Sequence, residues 1–172
     1  RIYGSEFDYD QKNGVVRAMG EVHLDLQAPA AKDSSAKMDY AAGKDLTSDQ
    51  ETEGAHLIHV TTSGLVYLQK RGVAATDQPI AFEANGMKGQ AVGADYTADA
   101  GVMVLHSAVR MAGVVHGRPA VLTAARAELD RGEKQVRLVS ARYVSNGRTG
   151  VAEAQADRAV VHLRNDGNVQ SL

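Results

Sequence analysis

A short phrase recurs along the chain and constrains the fold more than any other feature of the sequence. Each copy holds a tyrosine, four further residues, and then a glycine followed by valine. The spacing is regular: Tyr67 and Tyr96 lie 29 residues apart, and Tyr9 and Tyr67 lie 58 apart, twice that interval. The glycines of the three clear copies are Gly14, Gly72 and Gly101. The chain is therefore predicted to be a repeat protein whose unit is a β-hairpin.

The rest of the chain favours strands as well. Looser copies of the phrase fall at 127–136 and 156–169, and the run 21–27 alternates strictly between polar and apolar residues. No segment longer than about ten residues keeps the 3.6-residue period of a helix. We therefore predict an all-β fold of stacked β-hairpins, a twisted, open-ended β-jelly roll with two facing antiparallel sheets around a narrow interior.

Length and composition exclude several classes of protein. The chain has 172 residues, which fits one domain spanning 1–172. It contains no cysteine, which excludes disulfide scaffolds and thiol nucleophiles. Its net charge of −2 does not indicate a positively charged surface for binding nucleic acid. No apolar run is long enough to span a membrane. Because the first residue is Arg1 and not Met, we expect a signal peptide or membrane anchor upstream.

Residues 28–56 interrupt the repeat where a copy should fall. Their larger apolar residues are Met38, Tyr40 and Leu46, and the run 31–56 carries three lysines against six acidic residues. Such a segment buries too little apolar surface to offset the entropy of ordering it. We interpret it as a mobile acidic insertion; a degenerate hairpin around 38–40 is the alternative.

Strand alternation predicts which side chains face the interior. Burying one CH₂ group contributes about 0.8 kcal/mol, so an apolar interior of this kind could hold a lipid chain without special chemistry. The same side chains could equally fill a solid core, because alternation shows which side is apolar and cannot show a cavity. The predicted interior residues are Val22, Leu24, Val60, Leu65, Tyr67, Ile80, Phe82, Tyr96, Val104, Val109, Met111, Leu129 and Leu138.

A stack of hairpins ends in open sheet edges unless something caps it, and neither end of this chain shows a capping helix. Both ends are therefore candidates for pairing with another chain. The predicted edge residues are Ile2 and Tyr3 at one end, and Val160, Val161 and Leu163 at the other.

No residue pattern points to catalysis, a metal or a cofactor. His56 and His59 are three residues apart, which places them on opposite faces of a strand, and the other four histidines stand singly. The glycines of the run 86–93 resemble a phosphate loop, but no helix follows them. Paired acids such as Asp95 and Asp99 fall at turn positions, where aspartate is expected.

The phrases at 7–24 and 65–76 resemble the OstA-like family of periplasmic lipopolysaccharide-transport proteins, which includes LptA, LptC and the N-terminal domain of LptD. The run 61–76 is more similar to the LptC type. The resemblance implies a non-enzymatic periplasmic module, whose anchor to the inner membrane, as in the LptC type, would lie in a segment outside this chain. It would hold the acyl chains of lipopolysaccharide or lipid A and dock head-to-tail, through its terminal strands, with related β-jelly-roll proteins.

Two other functions fit the same pattern of hairpins. One is a β-solenoid module with a structural, adhesive or carbohydrate-binding role. The other is an enzyme acting on polysaccharide, which needs two carboxylates across a cleft.

Overall fold

The computed structural model describes residues 2–27, 57–84, 86–115, 117–147, 150–163 and 169–171. This part of the chain consists of β-strands, the turns between them and one turn of 3₁₀ helix at Gln69–Arg71. The twelve strands are β1 (Ile2–Gly4), β2 (Phe7–Asp10), β3 (Val15–Gln27), β4 (Leu57–Leu68), β5 (Val73–Ala84), β6 (Met87–Thr97), β7 (Val102–Val115), β8 (Arg118–Ala124), β9 (Arg126–Asp130), β10 (Gln135–Gly147), β11 (Gly150–Leu163) and β12 (Val169–Ser171). The prediction of an all-β chain is confirmed.

The described strands form one antiparallel sheet, in which every pairing joins strands that are one or two places apart in the chain. The order runs β1-β3-β4-β5-β6-β7-β8-β10-β11-β12, while β2 pairs with β3, and β9 pairs with both β7 and β10. Each pairing is therefore a local hairpin or its equivalent, as the repeated phrase predicted. Local pairing of this kind needs no long crossover connection.

Most long strands bend near their middle, where the register with a neighbour shifts. The bend divides the sheet into two half-sheets. Half-sheet A consists of segments 7–10, 15–18, 65–68, 73–76, 94–97, 102–105, 126–130, 135–139 and 158–163. Half-sheet B consists of segments 2–4, 21–27, 57–63, 79–84, 87–92, 107–115, 118–124, 141–147 and 150–156.

Residues with positive φ stand at several of these bends. Gly64 in β4 and Gly93 in β6 have φ of 59° and 74°. Ala108 in β7 and Ser140 in β10 adopt the same conformation, with φ of 51° and 50°, although they carry a Cβ. This left-handed region turns the strand sharply, and it disfavours side chains other than glycine. The bends are therefore fixed by backbone conformation at single residues.

The repeated glycines form a ladder of stacked turns at the far end of half-sheet A. In each turn, the carbonyl oxygen of the residue with positive φ accepts a hydrogen bond from a backbone N–H of the next repeat. The fourth member of the ladder is Lys134, with φ of 53°, five residues after Leu129. The bonds join Gly14 O to Gln69 N at 2.9 Å, Gly72 O to Ala98 N at 2.8 Å, Gly101 O to Arg131 N at 3.1 Å and Lys134 O to Leu163 N at 2.8 Å.

The first turn of this ladder is held by a side chain as well. Asp10 accepts hydrogen bonds from the Asn13 amide group at 2.6 Å and from its backbone N–H at 3.1 Å. These bonds favour the ionised carboxylate and hold the pKa of Asp10 below its ordinary value. Aspartate in this position is therefore explained by turn geometry.

Side chains of both half-sheets pack together in two clusters, so the half-sheets face each other. One cluster joins Leu105 and Leu138 of half-sheet A to Ile80 and Val109 of half-sheet B. The other joins Leu65 of half-sheet A to neighbours that include Val22 and Val60 of half-sheet B. The predicted jelly roll of two facing antiparallel sheets is confirmed; its two sheets are the halves of one bent sheet.

Two runs that end in a proline lie largely within strands. The run 77–79 lies inside β5, where Thr76 and Pro79 flank a register shift, because a proline that donates no ladder bond is tolerated at an irregular position. The run 113–119 is mostly paired, with Gly113 opposite Ala120. The predicted insertion at 28–56 lies outside the described residues and stays a prediction.

Candidate functional site

Two continuous rows of side chains cross the inner faces of the half-sheets. In each row, residues are direct partners on neighbouring strands, and most are apolar. The row of half-sheet A is Tyr9, Val16, Tyr67, Ala74, Tyr96, Met103, Leu129, Val136 and Val161. The row of half-sheet B is Leu24, Val60, Phe82, Gly89, Met111, Leu122, Tyr143 and Ala154. The tyrosines of the three clear repeats thus share one row.

A cavity of about 50 Å³ lies between the half-sheets, within strands β3 to β7. Tyr96 and Met103 border it from half-sheet A, and Leu24 and Val60 border it from half-sheet B. The remaining lining residues are Thr62, Leu65, Ala74, Thr76, Ile80 and Ala94. The cavity is therefore a gap between the two inward rows, and its walls are almost wholly hydrocarbon.

The two threonines of the lining do not make the cavity polar. Thr62 Oγ1 donates to the Pro79 carbonyl at 3.1 Å, and Thr76 Oγ1 donates to the Ser63 carbonyl at 2.7 Å. Both hydroxyl groups are thus used to hold backbone at the bends. A buried hydroxyl that has its partner carries no unmet cost of desolvation.

The predicted interior residues lie on the inner faces, with one exception. Each of them either packs in or against one of the two clusters or belongs to one of the inward rows. The residues placed inside are Val22, Leu24, Val60, Leu65, Tyr67, Ile80, Phe82, Tyr96, Val109, Met111, Leu129 and Leu138. Contact of these residues with lipid stays a prediction.

Val104 is the exception, and its prediction as an interior residue is wrong. Its register partners are Asp95 and Glu128, both on the outer face. Its neighbours Met103 and Leu105 face inward, and Leu105 is buried in the larger cluster. All four residues of 102–105 are apolar, so alternation offered no polar residue to fix the phase of this strand.

The sheet has open edges at both ends of the described strand order. No described strand pairs with the outer sides of β1 and β2, and Phe7 and Tyr9 are about half exposed there. At the other end, 150–161 of β11 pair with β10 only. The predicted edge residues Ile2, Tyr3, Val160 and Val161 lie on these two edge strands.

Leu163 was also predicted as an edge residue, and this is wrong. It pairs with Val169 of β12, and His162 pairs with Ser171. The open stretch of β11 therefore ends before this hairpin. The connection 164–168 lies outside the described residues.

Three of the four described histidines, those at 23, 59 and 106, stand on the outer face beside acidic residues. His23 Nε2 lies 2.9 Å from Glu21 Oε1, and His59 Nδ1 lies 2.8 Å from Asp25 Oδ1. His106 Nε2 lies 2.8 Å from Asp95 Oδ2. Among the described residues, no group of three or more histidine, cysteine or acidic side chains could hold a metal ion. His56 and His116 lie outside the described residues.

Residues 44–115 match the family described as "LptC: Lipopolysaccharide-assembly, LptC-related". The described part of this match contains β4, β5, β6 and β7, four of the five strands that line the cavity. The family is periplasmic and non-enzymatic and acts in lipopolysaccharide transport. The resemblance predicted from the repeats is confirmed over this region. No curated protein matches the chain significantly. None of the described helical segments is long and apolar enough to cross a bilayer.

Proposed function

We propose that this chain, with its LptC-related region at 44–115, carries lipopolysaccharide in the periplasm by holding acyl chains between its two half-sheets. The observation that carries this proposal is the pair of inward rows that meet at a hydrocarbon-lined cavity. Each CH₂ group transferred from water to such a surface contributes about 0.8 kcal/mol. An acyl chain therefore needs no polar partner to be held there.

The cavity must widen when an acyl chain enters. At about 50 Å³ it holds roughly two water-sized volumes, far less than a chain of a dozen carbons occupies. The half-sheets are joined along the bends, and their far ends are the ladder of turns on one side and the hairpin tips of half-sheet B on the other. When these two ends move apart, the bends act as the hinge and the gap between the two inward rows widens.

A variant that fills the cavity tests acyl binding. Ala74 lines the cavity, while its neighbour Ala75 faces outward opposite Val66 and Asp95. Ala74→Leu should weaken lipopolysaccharide binding about tenfold, because it displaces about two CH₂ groups of the ligand. Ala75→Leu is the matched control and should leave binding unchanged. Affinities are measured with purified lipopolysaccharide, and equal affinity of the two variants would contradict the proposal.

We propose further that the open stretch of β11 pairs with an edge strand of another lipopolysaccharide-transport β-jelly-roll protein. Residues 150–158 are exposed on both faces, and on the side away from β10 no described strand pairs with 150–161. Edge strands of this length are templates for strand addition, in which main-chain hydrogen bonds supply affinity. The inner face of this strand carries Ala152, Ala154 and Ala156, opposite Ser145, Tyr143 and Ala141.

Inward-facing charge on this strand should block such pairing. Ala154→Lys places a charge where the inner face of the partner would continue, so we expect about tenfold weaker binding of the partner protein. Gln155→Lys adds the same charge on the outer face of the same strand and is expected to leave binding within about twofold. Both positions are exposed, so the fold should persist. Partner binding that survives Ala154→Lys unchanged would refute pairing at this edge.

A further inference from the structure

The outer face of half-sheet B carries an ordered patch across the three neighbouring strands β7, β8 and β10. It has three rows of direct cross-strand partners, which we call the arginine row, the valine row and the tip row. The arginine row is Arg110, Thr123 and Arg142, and the valine row is Ala112, Val121 and Val144. The tip row consists of two pairs, Val114 with Pro119 and Asn146 with Val151 of β11.

The tip row exposes apolar side chains at the end of the molecule. Val114 is 66% exposed and Val151 is 67% exposed. Single exposed valines are ordinary on a protein surface. Val114 is paired with the exposed Pro119, Val151 is paired with Asn146, and both pairs adjoin the half-buried valine row, so the two valines form the margin of one apolar surface. A contiguous apolar surface of this kind is typical of a contact site.

Three cationic side chains border the apolar rows, and two of them have an acidic partner. Arg110 makes no ion pair within the described ranges of the chain, and Arg142 pairs with Glu153 through Nε at 2.7 Å. On the other side, Lys88 of β6 is the register partner of Ala112, and its ammonium group lies 3.8 Å from Glu83 Oε2. Hydrocarbon beside cationic groups complements an anionic lipid surface, whose phosphates lie next to acyl chains.

The spacing of the rows fits the depth of a bilayer interface. Successive rows are two residues apart along the strands, about 7 Å, so the arginine row lies about 13 Å from the tip row. The polar region on each side of a bilayer is about 5–8 Å thick, and amphipathic elements sink about 5–10 Å into it. With the tip row inserted, the long side chain of Arg110 can reach the phosphate level.

We infer that this patch docks the protein on the surface of an anionic bilayer, with the tip row inserted and Arg110 and Arg142 at the phosphates. The contact is separate from the interior, and it includes the edge strand β11 only at Val151. It orients half-sheet B towards the membrane and leaves the ladder of turns on the opposite side. Binding at this patch does not require lipopolysaccharide.

The test measures sedimentation of the purified chain with vesicles that contain no lipopolysaccharide. Vesicles of phosphatidylcholine alone are compared with vesicles that also contain phosphatidylglycerol. Binding should be at least about tenfold stronger to the anionic vesicles and should weaken with salt. Arg110→Gln should reduce binding to anionic vesicles about fivefold, and Val114→Asp about tenfold, because burial of one valine is lost.

Matched controls lie on the outer face of half-sheet A. Arg17→Gln removes an exposed arginine, and Val139→Asp adds an acid at another exposed valine; neither should change vesicle binding. Thermal unfolding of every variant checks the fold. Equal binding to neutral and anionic vesicles, equal losses from Arg17→Gln and Arg110→Gln, or a change of oligomeric state in place of vesicle binding would overturn the inference.

Discussion

Leu138→Ala is expected to lower the free energy of unfolding by about 3 kcal/mol, the largest effect of any single substitution considered for this chain. Leu138 is 2% exposed in the larger cluster, and its register partners Ala127 and Ala159 are too small to close the space that it would leave. The loss combines the transfer free energy of the deleted groups with the cost of the cavity. Equilibrium unfolding in urea measures it.

The next residue along the strand provides the control. Val139 is 42% exposed on the outer face, opposite Arg126 and Arg158. Val139→Ala should therefore change the free energy of unfolding by less than about 0.5 kcal/mol. Comparable losses from the two substitutions would mean that the inward and outward faces of β10 have been assigned incorrectly.

Gly89→Ala is expected to cost about 2 kcal/mol. A Cβ at position 89 would lie 2.1 Å from Cε2 and Cζ of Phe82, its direct partner on β5. The ring would have to leave its place in the inward row of half-sheet B, and overpacking of this kind typically costs 1–3 kcal/mol. Glycine is present here because the aromatic ring occupies the space above its backbone.

A double-mutant cycle separates this contact from other effects of the alanine. Phe82→Leu removes the ring, so Gly89→Ala should cost at least 1 kcal/mol less in that background than in the natural sequence. The free energies come from urea unfolding of the four proteins. Additive losses, within about 0.5 kcal/mol, would show that the ring does not occupy the space above Gly89.

The architecture could be predicted from local signals in the sequence. Tyr9, Tyr67 and Tyr96 precede their turn glycines by one fixed interval, so they fall in one row of a stack of hairpins. Alternation then assigned most inward positions correctly, because polar residues such as Glu21 and Asp25 mark the outer face. Hairpins pair locally, so local patterns contained most of the topology.

The bends and one part of the interior could not be predicted in this way. Ala108, Lys134 and Ser140 adopt positive φ, but their residue types do not signal it as glycine does. Bends also shift the phase of alternation: inward residues are even-numbered before the bend of β10, at Leu138, and odd-numbered after it, at Ala141. Val104 was misplaced because its whole segment is apolar.

The most direct test of acyl carriage compares photo-crosslinkers at two adjacent positions of β7. Met103 lines the cavity, while Val104 faces outward between Asp95 and Glu128. With lipopolysaccharide bound and the fold intact, a crosslinker at position 103 should be labelled strongly and one at position 104 should not. Equal labelling of the two positions, or labelling at 104 alone, would contradict the proposal that acyl chains lie between the half-sheets.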